Sequence, residues 1–144
     1  MRIYLDNCCF NRPFDDQGQV KIRLEAEAKL FIQESIRAGD IELAWSYILD
    51  YENSANPFPE RRNTISSWKE HSTIDVEESP DLLVLAKSLL KKRLSAYDAL
   101  HVACGITADC DNFLTTDDNI LKQAKYINDI VIIDPLSFIR EINL

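Results

Sequence analysis

The chain has 144 residues, 46% of them hydrophobic and 28% charged, with 3 Gly, 5 Pro and a formal net charge of −8. This is the composition of a folded chain, and it excludes disordered and collagen-like classes; a single domain is expected over 1–144, and roughly 70% of the unfolded surface is buried at this size, enough for a core without disulfide staples. The longest apolar run, Leu82 to Ala86, falls far short of the roughly 20 residues of a membrane span, so no membrane partner is expected. Asp6 interrupts the N-terminus before an export signal could form, and the expected location is cytoplasmic. Cys8, Cys9, Cys104 and Cys110 form no CxxC pair, and the histidines are only His71 and His101. Zinc spacing is absent, and the four read as reduced thiols that serve as small core hydrophobes. The acidic balance argues against indiscriminate adsorption to nucleic acid. It leaves open nucleic acid at a site where bound cations would invert the local field.

In chain order, residues 2–5 read as a short strand closed by Asp6-Asn7, followed by a loop through Pro13 and Gly18. Residues 19–38 show helical spacing through Ile22, Ala26 and Leu30, with Phe31 and Ile32 beside them, and Gly39 stops the helix. Residues 40–45 alternate as a half-buried strand does. Ser46 caps the next helix, which should end before Pro57. A polar helix is expected over 60–71, with Ile65 and Trp68 facing in, and a strand over 73–76. Ser79-Pro80 opens a further helix and Ser95 caps another over 96–108. Strands are expected at 112–115 and 130–133, the second apolar throughout as if covered on both faces. Asp134-Pro135 starts a last helix. Strands alternating with helices along the whole chain predict an α/β fold with a central parallel sheet. Ligands of such sheets bind beyond the carboxyl ends of the strands.

Four carboxylates fall in that region. Asp6 ends the first strand, where it could equally open an Asx turn. Glu52 shares the inward side of Ile48 and Leu49, which costs free energy unless something pairs with it, a salt bridge included. Its neighbour Asp50 points about 160° away. Asp98 stands three residues after Ser95, a capping-box spacing, and one turn from Leu94 and Val102. Asp117 follows the strand at 112–115 and could simply cap a short helix; Asp118 competes for whichever role it has. Brought together, these acids would raise one another's pKa values unless a cation bound, and oxygen ligands suit Mg²⁺ or Mn²⁺.

Ile3-Tyr-Leu-Asp6-Asn7 resembles the opening motif of PIN-domain nucleases. Ser46 to Glu52 resembles their second motif, Ser95-Ala-Tyr-Asp98 their third, and Phe113-Leu-Thr-Thr-Asp117 their fourth. The resemblance covers nearly the whole chain in the family's order, although Asn7 and Cys8 stand where many relatives have Thr or Ser. It implies a three-layer α/β/α fold with about five parallel strands and a Mg²⁺- or Mn²⁺-dependent ribonuclease site. It also implies a toxin-like member with a small antitoxin protein as partner, often a homodimer. Asp6, Glu52 and Asp98 would hold metal, Asp117 would complete the site, and Thr115, Thr116 and Asp118 would support it. Arg12, and then Arg61 and Arg62, are the expected RNA contacts, with Lys91, Lys92 and Arg93 behind them. His101 reads as a hydrogen-bonded helix residue, and Trp45 and Trp68 as core. A catalytically inactive PIN-fold binding module is the alternative. A phosphotransfer receiver domain, which also gathers acids at strand ends, would need a lysine at a late strand end, and 112–115 and 130–133 offer none.

Overall fold

The structure, a computed structural model, describes residues 1–142. Its strands are β1 (Arg2–Leu5), β2 (Glu42–Ser46), β3 (Ser72–Val76), β4 (Asn112–Leu114) and β5 (Val131–Ile133). All pair in parallel in one sheet of order β3-β2-β1-β4-β5. The helices are α1 (Asn7–Asn11), α2 (Val20–Arg37), α3 (Tyr47–Ser54), α4 (Pro59–Ser67), α5 (Pro80–Leu90), α6 (Ala96–Thr107), α7 (Asp118–Gln123) and α8 (Pro135–Ile142). Short 3₁₀ turns at Arg12–Phe14, Trp68–His71 and Ala124–Tyr126 complete the described chain. α2 packs on α8, α5 on α6, and α6 against β2 and β4. The result is the parallel α/β sheet expected from the alternation, in the three-layer α/β/α arrangement that the resemblance implies.

The strand order places the site. From β1 the chain steps outward through β2 and β3, then returns to the other flank of β1 for β4 and β5. The winding therefore reverses between β1 and β4, and the crevice beyond their carboxyl ends is where such sheets bind ligands. Asp6 leaves β1 at this point, its N–H extending the ladder to Leu114 O at 2.9 Å. Thr115, Thr116 and Asp117 leave β4 beside it.

Alternation along β1 puts Tyr4 and Asp6 on one face. Tyr4 stacks on Phe113 at 5.2 Å and meets His101 of α6 edge-on at 5.7 Å. Gly105 lets α6 press onto this layer: a Cβ there would stand 3.4 Å from Phe113, 3.5 Å from Tyr4 and 3.2 Å from Ile130. Serine caps fix the entry of three helices, since each hydroxyl takes a backbone N–H that the first turn leaves free. Ser46 accepts from Leu49, Ser79 from Leu82 and Ser95 from Asp98.

Three expectations need correction. The segment that follows β1 is not all loop: Asn7–Asn11 is a helix and Arg12–Phe14 a 3₁₀ turn, too short for any apolar period to show. α2 turns Glu25, Lys29, Gln33, Ile32 and Ile36 inward, while Leu30 and Phe31 are about half exposed. β5 lies at the edge of the sheet rather than covered on both faces, with Val131 exposed.

Candidate active site

Asp6 caps α1 and is buried beyond the carboxyl end of the central strand β1. Its Oδ1 accepts the Asn7 N–H at 2.8 Å and its Oδ2 the Thr115 hydroxyl at 2.8 Å. Thr115 Oγ1 in turn accepts the Asp117 N–H at 3.0 Å, so one hydroxyl ties the end of β4 to the end of β1. Cys8 Sγ lies 3.4 Å from both Asp6 Oδ2 and Thr115 Oγ1 and accepts the Thr116 N–H at 3.4 Å.

Asp117 caps α7 through Ile120 N–H at 2.9 Å and keeps its second oxygen free of that bond. Asp98, in the first turn of α6, is half-buried. Burial first, then the charge of Asp6 and that of Asp117, push its carboxyl up to about 6, against the opposing effects of Ser95 and His101. Asp98 thus feels the charges of Asp6 and Asp117 across the crevice. Neither Asp98 nor Asp117 forms an ion pair among the described residues, and the one such contact of Asp6 is His101 Nε2 at 3.9 Å.

Glu52 stands across from them in a different state. His101 Nε2 lies 2.6 Å from its Oε1, and the Asn7 amide donates to its Oε2 at 3.1 Å. A carboxylate only accepts, so Nε2 carries a proton. With neutral His101, Nδ1 accepts from the Tyr4 hydroxyl at 2.6 Å, and Tyr4 accepts from Ser46 at 2.7 Å. Burial above all keeps the Tyr4 hydroxyl protonated, raising its pKa well above the ordinary value. Burial pulls the His101 pKa down, but the hydrogen bond to Glu52 and the charges of Asp6, Glu52 and Asp98 outweigh it, and the net direction is up.

The other expected residues distribute as follows. Thr115 and Thr116 are buried at the crevice. Asp118 is 87% exposed and meets only Lys21, at 3.4 Å, so Asp117 is the acid beside the crevice. Asp50 faces away, accepting from Trp45 Nε1 at 2.9 Å and pairing with Lys69. Arg12 is turned to Asp15 at 3.0 Å and Glu25 at 3.2 Å, where it clamps the turn after α1 onto α2. Arg62 donates to Asn56 O and holds the α3–α4 connection. Arg61 lies over Phe58 and lines a hollow of about 270 Å³ with Asn7, Asn11 and Glu52. A second hollow of about 420 Å³, lined by Tyr51, Glu52, Tyr97 and Asp98, adjoins it at Glu52. Asn7, Cys8 and Tyr4 belong to the site and were missed as such; the faint signal was that Tyr4 shares the strand face of Asp6.

Among the described residues no three His, Cys, Asp or Glu side chains are drawn into a ready-made metal-binding group. The three carboxylates nevertheless offer hard oxygens, with the Cys8 thiol beside Asp6, and two of the three lack any basic partner among the described residues. That chemistry fits Mg²⁺ or Mn²⁺ at Asp6, Asp98 and Asp117 better than a softer metal. Glu52, already hydrogen-bonded by His101 and Asn7, stands at the rim.

The same arrangement of chain occurs in solved structures. The VapBC2 complex of Rickettsia felis, bound to a DNA fragment from its promoter, contains a chain that matches 93% of this one over 98% of its own length, at 16% identity and a TM-score of 0.58. The fold is PIN-like. VapBC-1 of nontypeable Haemophilus influenzae covers 94% of this chain and 99% of its own at 13% identity, TM-score 0.60. PAE2754 of Pyrobaculum aerophilum covers 99% and 96% at 14% identity, TM-score 0.59. No protein-family model matches the sequence, and no curated protein matches it. The PIN-like fold therefore rests on architecture, while the site rests on the residues at its switch point.

Proposed function

We propose that this chain is a divalent-metal-dependent ribonuclease, the toxin of a toxin–antitoxin pair. The observation that carries this reading is the placing of Asp6 and Asp117 at the switch point of the PIN-like sheet, their charges felt by Asp98, with no lysine or arginine paired to any of the three among the described residues. A divalent ion there would polarise a phosphodiester and lower the pKa of a water toward neutrality.

The protein's own part is to hold and orient. Thr115 and the Asn7 N–H fix the rotation of the Asp6 carboxylate. Such supporting bonds to a metal-binding carboxylate are worth about 10- to 100-fold in metal affinity or activity. His101, backed by Tyr4 and Ser46, holds Glu52 and can take or release a proton at Nδ1 without losing either bond. Tyr51 and Tyr97, exposed and stacked at 6.0 Å, offer faces to unpaired RNA bases at the mouth of the crevice. Arg61 supplies a cation for a phosphate beyond Glu52. Two of the similar structures are VapBC complexes, and a small protein that places a basic side chain among the three carboxylates would silence this site by charge compensation.

Growth after induction tests the toxin reading. Wild type should arrest the culture, and Asp6→Asn at matched protein level should not. Equal toxicity of the two, or normal growth of both, counts against a toxin.

A further inference from the structure

Away from the crevice, α1, α2, α4 and the turn that follows each short helix form a partly open cavity of about 170 Å³. Its walls are Phe10, Phe14, Ile65 and Trp68. Lys29 and Gln33, one turn apart on α2, line it as well, and each is only 4% exposed. The Lys29 ammonium makes no ion pair or hydrogen bond to a side chain among the described residues; it lies over the ring of Phe10 at 5.3 Å, near Cys9. The amide nitrogen of Gln33 is buried with no acceptor. Glu25, four residues before Lys29 on the same helix face, would be the natural partner, but it is taken by Arg12 at 3.2 Å. Arg37 also lines the cavity, over Trp68 at 4.7 Å, and adds positive potential while its own charge is answered by Glu34 at 2.7 Å.

A buried donor without an acceptor is costly, and native proteins satisfy it with a ligand or water. An apolar cavity of about 150 Å³ is large enough for one benzene ring. We propose that this cavity is a binding site for a small free carboxylate with a single-ring or branched apolar body, its carboxylate held by Lys29 and Gln33 and its body by Phe10, Phe14, Ile65 and Trp68. One ammonium and one amide match the single charge and two oxygens of a carboxylate. A phosphate dianion would need a second free cation, which Arg37 is not. Burial moves the Lys29 pKa down from 10.5 to about 7, consistent with an ammonium that lacks its counter-ion. The site is independent of the nuclease reading.

The test is calorimetric titration of the full chain with 3-phenylpropionate and its neutral analogue 3-phenylpropanamide. Wild type should bind the acid with a Kd below about 1 mM and at least about tenfold more tightly than the amide. Lys29→Met keeps the apolar stem and removes the charge, and should abolish the preference for the acid while the amide still binds. Gln33→Leu, a second variant should the first fail to fold, should weaken the acid about threefold or more. Equal affinity for acid and amide in wild type, absence of saturable binding by the acid, or an undiminished preference in Lys29→Met overturns the proposal. So does tighter binding of an acetylated peptide ending in phenylalanine than of the free acid, which would assign the cavity to a protein partner.

Discussion

Lys29 is a buried base whose pKa falls from 10.5 to about 7, chiefly through burial. Between those values the unfolded chain binds more protons than the folded one. Lys29 therefore opposes folding at neutral and lower pH, and its penalty fades as pH rises from about 7 toward 10.5. Lys29→Met should raise the unfolding free energy at pH 7 by roughly 2–4 kcal/mol, a gain that shrinks toward pH 10, measured by urea titration at both pH values. His101 carries the opposite sign, because its folded pKa is raised. Its contribution is fully present below the ordinary value of 6.5 and is lost as pH rises through the folded value. Glu52→Gln removes the carboxylate that takes the His101 hydrogen bond and should flatten that loss in the same titration.

Helix starts are where structure and chemistry can be separated. Asp117 caps α7 with one oxygen and faces Asp98 with its charge. Asp117→Ala should cost about 1 kcal/mol through the lost cap, while Asp117→Asn keeps a capping oxygen and most of that stability. Both should lose RNA cleavage, and Asp118→Asn should lose neither; urea midpoints and cleavage rates on the same preparations decide it. Caps were legible because they are local: Ser46, Ser79 and Ser95 sit three residues before the N–H each accepts. The inward face of α2 was not, because Glu25, Lys29 and Gln33 are buried polar residues that break the apolar period, while Leu30 and Phe31 are exposed. Nor was the bond from His101 to Glu52, or that from Tyr4 to His101, since the partners are 49 and 97 residues apart. The four acids could be singled out one by one, but nothing local to them tells that Glu52 is hydrogen-bonded by a histidine while Asp98 forms no ion pair among the described residues.

At the scale of the molecule, the strand order decides where charge collects. A chain of formal charge −8 folds so that Asp6 and Asp117 leave adjacent strands at the single reversal of its sheet, where Asp98 of α6 feels both charges. Asp98 bears the strain of this, its pKa raised to about 6 by burial and then by its neighbours. A carboxyl with a raised folded pKa opposes folding once it ionises, so the metal-free protein should lose stability as pH rises from about 4 through 6, and Asp98→Asn should blunt that slope. A cation bound only by the folded state adds RT ln(1 + [L]/Kd). Millimolar Mn²⁺ should therefore raise the Tm of wild type above pH 6 and raise that of Asp6→Asn less, by differential scanning calorimetry. The most direct test is cleavage of a defined panel of single-stranded RNAs by the purified chain, with and without Mn²⁺, comparing wild type with Asp98→Asn and with the outward-facing Asp50→Asn. Metal-dependent cleavage by wild type and Asp50→Asn, falling about a hundredfold or more in Asp98→Asn, is the predicted result. No cleavage by folded wild type with either Mn²⁺ or Mg²⁺, or equal cleavage by Asp98→Asn, would contradict it.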